Sequence, residues 1–190
     1  MTSAGLVRLN KWNCDMQFLG GVLNSNDLAL GAGWSGYVKK MSFRGELGYF
    51  RDLRHFNDTA GVLIASVGSD WSFGNAGLIL TEFLYANQVQ PVALNFTSTS
   101  GNLSVKSMAF AKYSWLVQAS YPVAPLLNAN LSGMLFSQPN GFFVSPSINL
   151  SLSNNASMAV IVQSFVGKFN PQNNAYTQIY LGYLQFKVNF

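Results

Sequence analysis

From Trp12 to the end of the chain, apolar and polar side chains alternate with a period of two, punctuated by turn-forming stretches. That period is the signature of a β-strand with one apolar and one polar face. The first predicted strand sets Trp12, Cys14, Met16, Phe18 and Val22 against Lys11, Asn13, Asp15 and Gln17. The second sets Leu28, Leu30, Ala32, Trp34 and Val38 against Gly31, Gly33, Ser35 and Lys39. In the third, Met41, Phe43, Leu47 and Tyr49 alternate with Ser42, Arg44, Glu46 and Gly48. The pattern is clean in later segments such as Tyr113, Trp115, Val117, Ala119 and Tyr121 against Ser114, Gln118 and Ser120. It is imperfect in the fourth and fifth strands, where Val62, Ile64, Leu78, Leu80 and Leu84 fall on the polar face.

About ten strands of about ten residues emerge, the length that a tilted membrane-spanning strand needs. Connections are tight after the second, fourth, sixth and eighth strands, and longer and polar after the third, fifth and ninth. Composition sharpens the reading. Charged residues are 9% of the chain and hydrophobic residues 49%, whereas a soluble domain carries about 25% charge. No run reaches the roughly 18 apolar residues of a spanning helix. A bilayer crossing must therefore use closed β-structure, which leaves no open edge in lipid. The expected fold is all-β: an antiparallel up-and-down transmembrane barrel, with residues 1–190 as a single domain. The N-terminus shows no leader, so the expectation is the C-terminal portion of a longer barrel, its signal and N-terminal strands lying upstream.

The net charge of +4 reflects few acids, and only Lys39 and Lys40 are adjacent bases; no nucleic-acid partner is expected. A lone cysteine, Cys14, excludes an internal disulfide, and no metal or cofactor motif is present. With strand directions assigned, aromatic residues form two bands. Trp12, Trp71 and Tyr121 lie toward the short-turn end, and Tyr49, Tyr85, Tyr113, Trp115 and Tyr180 toward the long-loop end. Amphipathic rings favour the headgroup level, so these are candidate girdle residues with outer-membrane lipid as partner. Trp34, in mid-strand, fits neither band.

The polar face is expected to line a lumen through Lys39, Arg44, Glu46, Asp70, Glu82, Gln118, Gln163 and Lys187. Arg44 and Glu46, two apart on one strand, are expected within reach of each other. Two readings stay open. Paired charges suit a plugged small barrel, whereas a wide barrel would use them to bias solute passage; small inner residues such as Gly31, Gly33, Ser35, Ser147 and Ser151 favour the wide one. Hydrolysis would need a serine, a histidine and an orienting group in register. The single histidine, His55, sits in a charged loop without a serine that can be singled out, so no enzyme is expected.

The final stretch, with Leu184, Phe186, Val188 and terminal Phe190 at alternate positions, resembles the C-terminal signal by which the outer-membrane assembly machinery recognises its clients. Ser42 to Phe50 and Ala111 to Trp115 look like segments of uncharacterised porin-like outer-membrane proteins, which are longer. The resemblance implies outer-membrane location, barrel architecture and an assembly-machinery partner, but no substrate. The leading expectation is a passive channel for small hydrophilic solutes. The alternatives are a structural or surface-binding barrel with a plugged lumen, and a soluble lipocalin-like barrel with its apolar face inward.

Overall fold

The computed structural model describes residues 1–57, 60–74, 76–89, 109–168 and 175–189. They form β1 (Ser3–Lys11), β2 (Cys14–Leu23), β3 (Asp27–Val38), β4 (Met41–Asp52), β5 (Val62–Phe73), β6 (Gly77–Ala86), β7 (Tyr113–Ala124), β8 (Leu127–Ser137), β9 (Gly141–Ser151), β10 (Ala156–Gly167) and β11 (Thr177–Val188). All eleven belong to one sheet in chain order, each strand antiparallel to the one before it. No helix occurs among the described residues. The sheet is open: β1 and β11 stand at its two edges and do not pair with each other.

Eleven strands replace the expected ten or so because residues before Trp12 also pair, from Ser3 opposite Val22 to Lys11 opposite Cys14. Trp12 and Asn13 form the two-residue link, both left-handed at φ 56° and 57°. Two consecutive positive φ values give the mirror-image turn whose twist matches paired strands. Tryptophan carries no turn signal, so the sequence reading ran Trp12 into a strand; it is instead a turn residue with 83% of its surface exposed. Lys39 is corrected for the same reason. With φ 56° it begins the β3–β4 turn rather than lining a strand face.

The two ends of the sheet differ. Links β1–β2, β3–β4, β5–β6, β7–β8 and β9–β10 lie at one end and have at most four residues each. The other end carries the long connections 53–61, 87–112 and 168–176, together with two short ones.

The register joins residues of like polarity across the sheet. One row runs Met16, Trp34, Gly45, Val67, Phe83, Trp115, Leu135, Phe142 and Val166. A second, on the opposite face, runs Asp15, Ser35, Arg44, Gly68 and Glu82. Every strand contributes to both faces, so one surface is apolar from edge to edge. Its charged members are Lys11 and Arg51, each at a strand end.

Among the described residues no second layer covers that apolar surface. The buried hydrophobic residues are mostly small (Ala29, Ala86, Ala109, Ala111 and Ala159), whereas Val67 and Ile148 on the apolar face are 52% and 51% exposed. A sheet ordinarily buries its apolar face against another element, and soluble monomers seldom expose continuous apolar patches beyond a few hundred Å².

Aromatic rings close the gaps that glycines leave in the pleat. Trp34 lies opposite Gly45, Phe73 opposite Gly77 and Phe136 opposite Gly141. At each glycine an added Cβ would collide with the ring. This pairing accounts for Trp34 in mid-strand, where neither aromatic band would place it.

Candidate functional site

The polar face is concave. A trough of about 560 Å³ on this face takes lining residues from all six strands β1–β6. The ion-pair cluster of the polar face centres on Arg44, on β4. The guanidinium Nη1 donates to both carboxylate oxygens of Asp70, at 2.8 and 2.7 Å, and Nη2 lies 3.9 Å from Glu82. Asp70 also accepts from the Ser42 hydroxyl at 2.9 Å. Gly68 stands directly between Arg44 and Glu82 in the ladder. A Cβ there would come within 3.4 Å of Arg44 Nε and 3.1 Å of the Thr81 carbonyl oxygen. Gly68 thus puts no side chain in the path of Arg44 across β5.

This geometry corrects the expected Arg44–Glu46 pair. Among the described residues the ion pairs of Arg44 go to Asp70 and Glu82. Asp70 is a diagonal cross-strand neighbour of Arg44, about 7–8 Å away and within reach of a long side chain, and Glu82 lies one strand further, beyond Gly68. Glu46 lies on the same face, opposite Ser66 and Gly33. Toward the edge of the sheet Arg8 and Asp15 share a second trough with Arg44 and Glu46. Arg8 lies on the strand that the sequence reading missed.

The remaining predicted lumen residues divide. Gln118 and Gln163 keep the parity of the polar face, opposite Ser132 and Leu181 respectively. Lys187 has it too, opposite Ser157, but on the exposed edge strand β11. Strands β7 to β10 contain no charged residue, so the concave face has a charged half and a half of amides and hydroxyls. Of the apolar residues that interrupted the sequence pattern, Val62, Ile64 and Leu84 lie toward the long-loop end, and Leu78 and Leu80 toward the short β5–β6 turn. Ile64 and Leu84 join Leu6, Leu19 and Phe50 as walls of the central trough.

On the convex face the predicted girdle residues occupy both ends of the strands. Near the short turns Trp71 meets Phe73 at 5.4 Å, and Phe73 stacks on Tyr121 at 5.9 Å; Trp12 is at the same end, in its turn, with Lys11 Nζ 4.6 Å from its ring. Near the long loops Tyr85 meets Tyr113 at 5.3 Å, and Tyr49 and Tyr180 lie on the same face. Trp115 Nε1 donates to Thr81 Oγ1 at 2.8 Å, and that hydroxyl donates to the Leu116 carbonyl at 3.3 Å. Ser69, the hydroxyl beside Val67 in β5, donates to the Ser42 carbonyl at 2.8 Å. The Trp115 N–H and the Thr81 and Ser69 hydroxyls are thus satisfied within the sheet.

Three further features bear on function. Leu184, Phe186 and Val188 lie on the apolar face of β11, opposite Val160, Met158 and Ala156; Phe190 lies outside the described residues. The segment leading into β7 packs on the concave side, with Ala109 and Ala111 buried and Phe110 edge-on to Phe136 at 5.2 Å. His55 Nδ1 lies 3.5 Å from Asp52 in the β4–β5 connection. Compared with known protein families, characterised proteins and solved structures, the chain matches none.

Proposed function

We propose that this chain belongs to an integral outer-membrane β-barrel that acts as a passive, porin-like channel for small hydrophilic solutes. The observation that carries the proposal is the continuous convex apolar face, free of charge except at strand ends and backed by a polar concave face. Lipid is the cover that such a face fits, because β2 to β10 pair on both sides and the outward hydroxyls of Ser69 and Thr81 are already bonded. Strands of nine to twelve residues, rising about 3.3 Å each and tilted by about 40°, match the roughly 25 Å apolar band of outer-membrane barrels. A soluble ligand-binding barrel would need the apolar face turned inward.

A pore also requires a closed wall. The edge strands β1 and β11 run in the same direction, because ten antiparallel steps separate them. All-antiparallel closure therefore takes an odd number of additional strands, which gives the even total of bacterial barrels. Leu184, Phe186 and Val188, with Phe190, would present β11 to the assembly machinery.

A plugged structural or surface-binding barrel is the second reading, favoured by Ala109–Ala111 packed onto the concave side. Carbonate extraction and planar-bilayer recording test both. Membrane retention with stepwise conductance is expected; release by carbonate overturns the membrane reading, and retention without conductance leaves the plugged barrel.

A further inference from the structure

Charge is sorted by face in a way the net charge conceals. The protein carries +4 overall, yet all the acidic residues on strands (Asp15, Asp27, Glu46, Asp52, Asp70 and Glu82) have the parity of the concave face. The bases of that face are Arg8, Arg44 and Lys187. Six acids against three bases leave the concave wall at −3, while the other described bases lie in turns, loops and at strand ends.

Near the middle of the wall the excess is, among the described residues, without an ion pair at Glu46 and only loosely paired at Glu82. Arg44 is held by both oxygens of Asp70 and approaches Glu82 only to 3.9 Å. Among the described residues no ion pair engages Glu46. Both glutamates line the central trough, whose walls are Leu6, Leu19, Phe50, Ile64 and Leu84 and whose floor includes Gly31 and Gly48. Its volume, about 560 Å³, falls in the range of small-molecule sites.

We propose that this trough is a binding site for organic cations, with the charged head at Glu46 and Glu82 and the apolar body against the leucines and Phe50. The complementarity is of two kinds. The carboxylates attract a cation and repel an anion, and the aliphatic walls reward an apolar body while offering a polyol few hydrogen-bond partners. The site rests on the concave face being a solute path, and it narrows the solute class to cations.

The test uses the full chain folded in detergent, with benzyltrimethylammonium as probe and benzenesulfonate, benzyl alcohol and tetramethylammonium as comparators, followed by calorimetry and ligand-observed NMR. Saturable binding of benzyltrimethylammonium is expected, weakened about ten- to a hundred-fold by E46Q/E82Q, because the probe has no N–H to donate and is held at its head by charge attraction to the two carboxylates. Tetramethylammonium, which lacks the apolar body, should bind more weakly. The single variant E46Q disturbs no ion pair and serves if the double variant does not fold. Benzenesulfonate binding as well as the cation, or wild-type affinity in E46Q, overturns the site. Reversal potentials across a KCl gradient separate the two proposals. Cation selectivity supports both, and anion selectivity overturns the cation site while leaving the channel. Cation binding without conductance supports the site and overturns the channel.

Discussion

Arginine at position 67 should be among the least tolerated substitutions in the sheet, and the same residue at position 66 among the better tolerated. Val67 lies midway along β5 on the convex face, between Gly45 and Phe83, and is 52% exposed. A guanidinium there finds no carboxylate, because the acidic residues on strands all have the parity of the opposite face, and the neighbouring hydroxyls of Ser69 and Thr81 are neutral groups already donating to carbonyl oxygens. At the midplane of a bilayer this costs about 2–4 kcal/mol, or about 30- to 900-fold in the folding equilibrium. Ser66, one residue earlier, faces the concave side opposite Glu46, so arginine there gains a carboxylate and should change stability by less than about 1 kcal/mol. Leu63 shares the face of Val67 but lies near the long-loop end, and Leu63→Arg should cost about 0–1 kcal/mol. Urea titration of protein folded into phosphatidylcholine vesicles, followed by tryptophan emission, gives the three values. Equal costs for Val67→Arg and Ser66→Arg, or the reverse order, would refute the assignment of faces.

Other perturbations follow from the same geometry. Gly45→Ala drives a methyl into the Trp34 indole and should cost about 1–3 kcal/mol; Trp34→Ala in that background should recover part of the loss, measured by the same titration. Trp115→Phe removes the N–H that Thr81 accepts and should cost about 1 kcal/mol. Adding Thr81→Val should cost less than the sum of the two single changes. Arg44→Ala takes one base from a wall with an excess of acids, so the reversal potential should shift toward greater cation preference; an unchanged potential would place Arg44 outside the solute path.

Much of the sheet was legible in the sequence because the strand period of two and the tight turns fix parity locally. The outward residues of β3 and β4, from Leu28 to Tyr49, all lie on one face as the alternation predicts. The two-residue turn at Lys39 and Lys40 sets Trp34 opposite Gly45, so the aromatic–glycine pairing was available from register alone. The Arg44–Asp70 bond was not. It depends on the register of β4 against β5, which are joined by residues 53–61, and a long connection leaves register to tertiary packing. β1 escaped because Trp12 adopts a left-handed conformation that asparagine and glycine usually supply. The interrupting residues Ile64 and Leu84 looked like faults in a polar face, and only the curvature of six strands shows them as walls of one trough.

The central claim, that the apolar face of this sheet contacts lipid, is tested most directly by single cysteines along β5. They are placed from Leu63 to Ser69 in a Cys14→Ser background and labelled with an environment-sensitive fluorophore in vesicles. Lipid-borne quenchers should act at 63, 65 and 67, and water-soluble quenchers at 64, 66 and 68, with a period of two. Uniform access to water at all positions, or quenching by lipid at the even ones, would contradict it.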